Sequence, residues 1–322
     1  MDYSLLGSSS SGMSQRAQFL ILLLLTGTCL FLLLQMRSSN VSRDNSSFHK
    51  GQNSAGEKKK DVVEKKEFGD MYNEWNECMM KSVSKYRNNH TELWGNLWKA
   101  VQECEKLPSL ATLKILDFSN SDETKRSILP KIQEPSVIVT LGVGHDTAAE
   151  EKIQKVLPPG SLFFGADPIQ DINEKLYTKL GLYFPFAVGA NAGMSQADVL
   201  IGNAYTKKTV VHVDLIYFLK NIIKKRCEFF YDDVWIDAEG AEYDLFPFFD
   251  NGGELDQNQI TFCMFNMEVH NPTDEQKKLF HEFTLRILRD GRYAFFRPVQ
   301  ASHIRLFYVN FDDQRCAKKY IL

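Results

Sequence analysis

The sequence has no excess of either charge: 38 Lys and Arg stand against 41 Asp and Glu, a net charge of −3 over 322 residues. A nucleic-acid-binding protein usually shows a basic face or stripe, so this balance argues against that class. Cysteine is sparse, with six in all. There is no CxxC and no Cys/His cluster at zinc-site spacing, which argues against a structural zinc. What the chain does have is 43% hydrophobic and 12% aromatic residues, ample for a folded core and unlike a disordered chain.

Long apolar runs are also scarce, with one exception. Residues 19–34, "FLILLLLTGTCLFLLL", carry no charge, and with their neighbours the stretch 17–36 reaches roughly 20 residues, enough helix to cross a bilayer. A cleaved signal peptide is the rival, but its apolar region normally runs about 7–15 residues. Arg16 precedes the stretch while Arg37 and Arg43 follow it, so flanking charge barely orients it. Three N-glycosylation sequons begin at Asn40, Asn45 and Asn89, all after the apolar run. They favour a single-pass, type II protein with its body in the lumen of the endoplasmic reticulum or Golgi. Cys29 lies in the anchor and leaves Cys78, Cys104, Cys227, Cys263 and Cys316, an odd number, so at least one stays free or pairs between chains. Cys263, inside the apolar "ITFCMF", is expected to be a buried thiol.

The domain plan follows. Residues 1–16 form a cytosolic tail, 17–36 the signal anchor, and 37–66, rich in Ser, Asn, Lys and Glu, a flexible solvated stem. Residues 67–129 form a helical cap and connector. Apolar residues there recur at three- and four-residue steps in two helices joined by "YRNNH", with Cys78 and Cys104 placed to clamp them. From 130 to 322, strands and helices alternate: "SVIVTLG", "SLFFGAD", "LYFPFAVG", "DDVWIDAE", "ITFCMFNMEVH", "YAFFRPV" and "IRLFYVN" read as strands. "VDLIYFLKNIIKK" reads as one of the intervening helices. The alternation implies an α/β fold with a mostly parallel sheet covered on both faces. The last two strands have no room for a helix between them, so one runs antiparallel.

In such sheets ligands bind beyond the carboxyl ends of the strands. After the first strand, "LGVGHDTAAE" places Gly142 and Gly144 where a tight turn opens a helix, suited to close backbone approach to a ligand. Asp167 ends the second strand, 25 positions after Gly142, near the roughly 20-residue spacing at which an acid meets ribose hydroxyls. Together they point to an adenosine-containing cofactor. Further on, "WIDAEGAEYDLF" brings Asp237 and Glu239 to a strand mouth, two apart and so on one face. Asn266, Glu268 and His270 repeat that spacing on the next strand. Asp237, Glu239, Glu268 and His270 are expected in one crevice, binding a substrate and supplying a general base. A divalent cation held through oxygen ligands is a further option. Glu242 is expected to meet the start of its own helix, and the pairs Asp232-Asp233 and Asp312-Asp313 to be loop acids.

The succession "LGVGHD", "GADPI", "FPFAVG", "WIDAEGAEYDLF" and "NMEVH" resembles the FkbM-type methyltransferases, over about residues 130–322. That resemblance implies a Rossmann-like, seven-stranded class I methyltransferase sheet with an antiparallel last strand. It also implies S-adenosylmethionine as cofactor and methyl transfer to a hydroxyl, typically of a sugar or polyketide. On its motifs the cofactor residues are Gly142, Gly144, His145, Asp146, Asp167, Pro168, Ala187 and Val188. One departure stands out: members usually carry an acid just before the first glycine, where this chain has Thr140 and Leu141, and Asp146 is the nearest substitute. The expected partners are a hydroxyl-bearing acceptor such as a glycan, and the membrane through one helix, with no nucleic acid. A noncatalytic luminal binding module and a Golgi glycosyltransferase are the alternative functions.

Overall fold

The structure is a computed structural model that describes residues 54–202, 204–223 and 229–322. The expected tail, anchor, first part of the stem, and the sequons at Asn40 and Asn45 lie outside the described residues. Among those described, no helix is long and apolar enough to cross a membrane. The chain divides into Met1–Glu57 and Lys58–Leu322. Of the first unit only residues 54–57 are described, as the start of a helix, and the rest of the fold concerns the second.

Two helices lead, α1 (Ser54–Val83) and α2 (His90–Cys104), so residues 54–66 of the expected flexible stem are helical instead. The predicted clamp is present as a Cys78–Cys104 disulfide. The edge of Trp75 packs on Phe295 at 5.2 Å, and Trp94 meets Phe280 at 5.2 Å, which seats the pair against the main body. A short hairpin that the sequence reading missed follows, β1 (Leu116–Ser119) and β2 (Thr124–Ser127).

The alternating region gives β3 (Val137–Leu141), α3 (Ala148–Gln154), β4 (Leu162–Ala166), α4 (Gln170–Tyr177) and β5 (Leu182–Phe184). It continues through β6 (Ala187–Gly189), β7 (Gly193–Ile201), β8 (Ala204–Asp214), α5 (Leu215–Tyr217) and β9 (Phe229–Ile236). Then come α6 (Glu242–Leu245), α7 (Glu254–Gln257), β10 (Ile260–Val269), α8 (Asp274–Asp290), β11 (Tyr293–Gln300), β12 (Ile304–Asn310) and α9 (Gln314–Cys316).

Seven strands form one sheet in the order β11-β12-β10-β9-β3-β4-β5. β12 runs antiparallel to both its neighbours and the inner strands are parallel. Strands covered on both faces are apolar throughout rather than alternating. β3 accordingly is buried at every residue, and β9 and β10 at nearly every one. α8 is the best-defined helix, with a capping box between Thr273 and Gln276 and Gly291 at φ +75° closing it.

Several expectations fail here, each for a physical reason. "LYFPFAVG" is two strands: β5 completes the main sheet, while β6 leaves it to pair with β8 in a separate sheet ordered β6-β8-β7. Among its described residues, "VDLIYFLKNIIKK" is helical over α5 and a single wide turn, Phe218–Ile222, because β8 extends to Asp214 and takes the start of the segment. Cys263 is not a free thiol but is joined to Cys316. Asp232 and Asp233 are not loop acids; both are fully buried within β9. Asp232 accepts from Lys319 Nζ at 2.7 Å, Tyr320 OH at 2.5 Å and the Val137 amide at 2.7 Å, tying β3 and β9 to the segment after α9. A buried carboxylate is tolerable when paired and hydrogen-bonded in this way.

Candidate active site

The chain leaves β3 for β4 and β5 on one side and later returns to β9 and β10 on the other, so the sheet switches direction between β3 and β9. A ligand crevice is expected at that point. Gly142 sits there at φ +90°, and a Cβ on it would fall 2.1 Å from the Asp237 carbonyl oxygen. The close approach that requires glycine is therefore to the neighbouring strand end, which locks the first loop to the acidic one. Beyond it, Gly144 and His145 both adopt φ +63°. The amides of Val143 and Gly144 donate to Asp167 Oδ2 at 2.9 and 3.4 Å, and that of Ile169 to Oδ1 at 2.7 Å. Asp167 thus shapes the loop as well as facing the space above it.

That space is a cavity of about 680 Å³, well within the range of small-molecule clefts. Gly142, Gly144, His145, Asp146, Asp167, Pro168, Ala187 and Val188 all line it, as do Asp237 and Glu239. Asp146 is occupied locally, accepting from Ser121 through backbone and hydroxyl and from the Ala148 amide. These bonds, with Lys152, outweigh burial and hold it below the usual carboxylate range. His145 Nε2, by contrast, is shut off from solvent and has no hydrogen-bond partner. It is a buried polar atom without a partner, on a residue that lines the cavity.

The missing acid before Gly142 has a structural counterpart. Thr140 points away from the cavity and donates to Glu150 Oε1 at 3.1 Å, while Tyr177 OH donates to Thr140 at 3.0 Å. Burial pushes the Glu150 carboxyl up to about 7. An acid whose folded proton affinity is raised stabilises the fold below its unfolded value and loses that contribution as pH rises toward the folded one. Between about pH 4.5 and 7, wild type should lose on the order of 3 kcal/mol relative to Glu150→Gln. Denaturant melts of both proteins across that range measure the difference, and parallel curves would refute it.

At the acidic end, His270 gathers the predicted carboxylates. Its Nε2 lies 3.3 Å from Asp237 Oδ1, 3.5 Å from Glu239 Oε2 and 3.5 Å from Glu268 Oε1. Its Nδ1 lies 3.2 Å from Glu242 Oε1. Asp237 and Glu239 do not converge by strand alternation as expected, because β9 ends at Ile236 and Glu239 turns back at φ +48°. Glu242 does begin α6, but it is fully buried and accepts from the His270 amide at 2.7 Å and the Gly240 amide at 2.8 Å. It supports the histidine rather than its own helix start. Glu268 and His270 stand behind the cavity wall that Asp237 and Glu239 form. Asn266 faces elsewhere, gripping both backbone groups of Arg126 at 2.7 and 2.8 Å and so docking the β1–β2 hairpin.

Charge decides the protonation states. Burial opposes a proton on His270, but Asp237 and Glu242 outweigh it and raise the imidazole to about 11. Burial likewise works to raise Asp237, yet His270 and Lys125 hold it below the usual range. Glu239 is pushed up to about 7, chiefly by burial. Burial and then Asp237 raise Glu268, against Arg305, which donates to its Oε2 at 2.6 Å. In this state the histidine is a cation bracing carboxylates, and Glu239 is the group able to take a proton near neutrality.

Sequence reasoning missed several neighbours. Tyr205, on β8, hydrogen-bonds Glu239 and lines the cavity, as do Asp122 and Glu123 from the β1–β2 turn. Lys125 pairs with Glu123 at 2.5 Å. No motif marks them, since they reach the site from hairpins inserted around the sheet.

Comparison with known proteins places this geometry. An uncharacterized protein of Caenorhabditis elegans, C28H8.7, is 23% identical over 267 residues, which span 80% of this chain and 82% of that protein. Among solved structures, a putative rRNA-methylase from Clostridium thermocellum aligns at TM-score 0.31 and 10% identity, covering 56% of this chain and 88% of that one. The METTL16 MTase domain aligns at TM-score 0.30 and 12% identity, covering 57% and 62%. The profile of the methyltransferase FkbM domain family matches residues 89–295, from the start of α2 into β11 and across the ends of β3, β4, β9 and β10. The chain belongs to the FkbM methyltransferase-domain family.

Proposed function

We propose that the chain transfers a methyl group from S-adenosylmethionine to a hydroxyl, that of a glycan, in the lumen of the secretory pathway. The observation that carries this reading is that Asp237 and Glu239 share one cavity with the Gly142–Asp146 loop and Asp167. The residues fit such a cofactor: Asp167 lines the cavity with Oδ1 accepting from the Ile169 amide alone, which leaves that oxygen a lone pair for a ribose hydroxyl, and His145 Nε2 is a buried polar atom lacking a partner. When bound, the cofactor supplies an electrophilic methyl on a cationic sulfur. The acidic end of the cavity suits that positive charge.

The chain's own part is to hold the acceptor oxygen in line and remove its proton as attack proceeds. Glu239 is placed to accept that proton at the cavity wall, and Tyr205 and His270 fix its position. Asp122, Asp237 and Glu239 line the cavity and disfavour a phosphate or carboxylate beside them, which favours an uncharged hydroxyl. Glycosyl transfer loses its support, because the family is one of methyltransferases.

The test is to incubate the purified chain with labelled S-adenosylmethionine and a panel of glycans. Label should appear in a glycan, and calorimetry should show Asp167→Ala weakening the cofactor by about 1–3 kcal/mol as a buried partner is left unsatisfied. Cofactor binding without transfer to any acceptor would instead support the noncatalytic module.

The luminal assignment rests on two disulfides, which persist in oxidising compartments. Asn89 adds to it: it is exposed, and its Oδ1 caps α2 by accepting from Glu92, which leaves Nδ2 open to a glycan. Expression in secretory cells should give a band that endoglycosidase lowers. A band unchanged by the enzyme, in wild type and in Asn89→Gln alike, counts against the luminal body.

A further inference from the structure

We propose that Asp237, Glu268 and His270 form a binding site for a divalent first-row transition-metal ion at the acidic end of the cavity. The three offer one imidazole nitrogen and two carboxylate oxygens, all within 4.8 Å of one another. His270 Nε2 stands 3.3 Å from Asp237 Oδ1 and 3.5 Å from Glu268 Oε1. Two ligands of one ion, each about 2.1 Å from it at a tetrahedral angle, stand about 3.4 Å apart. The two spacings from His270 are therefore already those of a ligand set, and the two carboxylates lie within 4.8 Å of each other.

A second observation comes from Asp237. Its Oδ1 is closed to solvent and has no hydrogen-bond donor, since the contact with His270 lacks hydrogen-bond geometry. The His270 ring faces it at 3.3 Å as an ion-pair partner only, so the hydrogen-bonding capacity of this buried oxygen is unfilled, and an ion seated between the two would fill it. The surroundings also match what metal histidines need: the other ring nitrogen, Nδ1, lies 3.2 Å from the fully buried Glu242, which fixes the ring and its tautomer. Arg305 takes the far oxygen of Glu268 at 2.6 Å and leaves the near one toward the site. The ion would occupy the place on Nε2 that a proton holds in its absence.

Three protein ligands leave a coordination position open, the arrangement of catalytic rather than structural metal sites. Asp237 borders the cavity, so that position faces an incoming oxygen ligand. Glu239 is outside the ligand set. Mixed imidazole and carboxylate donors suit zinc, cobalt or manganese better than magnesium or calcium.

The site is tested by metal binding alone, which needs neither cofactor nor acceptor, so its failure leaves the methyltransferase reading standing. The full chain, stripped with chelator, is titrated with Co²⁺, Zn²⁺ and Mn²⁺ by calorimetry and, for Co²⁺, by visible absorption. Wild type should bind one equivalent. Asp237→Asn and Glu268→Gln should abolish that binding with Tm retained, and Glu242→Gln should weaken it about 10–100-fold. X-ray absorption of the Zn²⁺-loaded wild type requires no variant, and should show one imidazole, oxygen ligands and no sulfur. Absence of binding at millimolar ion, two or more imidazoles, or undiminished binding in both carboxylate variants would overturn the proposal.

Discussion

Glu239→Gln is expected to slow methyl transfer by about 10²–10⁴-fold, the usual worth of a positioned general base, or roughly 3–5 kcal/mol of barrier. The substitution keeps the size and the backbone preference of the residue and removes only its ability to accept a proton. Its side chain is 26% exposed and the amide keeps its shape and its hydrogen-bonding oxygen, so stability should change little. Single-turnover rates with the acceptor found by the glycan screen measure the effect, with Tm as the control for folding. A variant as fast as wild type would move proton removal to another group, and Asp237, which lines the same wall, would be next. With Glu239 as the proposed base and Glu242 holding His270 from behind, Glu242→Gln should lower Tm as well as rate.

Breaking the Cys263–Cys316 bond should cost about 4 kcal/mol, from the loop-closure entropy of a bridge spanning 53 residues. That is a large share of the roughly 5–15 kcal/mol by which domains are stable. The bridge ties β10, whose far end carries Glu268 and His270, to α9, so its loss loosens the strand at the heart of the sheet. Denaturant melts of Cys263→Ala/Cys316→Ala against wild type should show the midpoint fall, with a slope equal or steeper as the uncrosslinked denatured chain exposes more surface. Equal stability would mean the bridge closes a contact already made by packing.

What was legible in the sequence was whatever burial writes into it. The strands of the main sheet are continuous apolar runs, so they, their order of succession and the acids at their ends could be read directly. All eight residues expected to meet the cofactor line the cavity, because each follows directly on a strand end or lies in the loop or short strand beyond it. Residues placed by distant partners could not be read. Asp232 is buried only because Lys319 and Tyr320 arrive from near the other end of the domain. Cys263 looked like any core thiol until the fold brought Cys316 to it. The hairpins failed for a different reason. β7 and β8 are largely exposed, and "AYTKKTVVHVD" has no apolar face to declare a strand. Tyr205 therefore came without warning.

The separation of the sheet β6-β8-β7 from the seven-stranded one has a consequence for descent within the family. Ala197, Asp198, Leu200 and Tyr205 form a wall of the cavity on strands that share no ladder with β3, β4, β9 or β10. Insertions or replacements in that wall leave the register of the strands bearing Gly142, Asp167 and Asp237 untouched. On the proposed function, change in this wall can therefore reshape the acceptor side while Gly142 and Asp167 keep their places, with Ala187 and Val188 tied to it through the β6–β8 ladder. Divergence between relatives should gather at residues 193–214, and a graft of this hairpin between two members should carry acceptor preference with it.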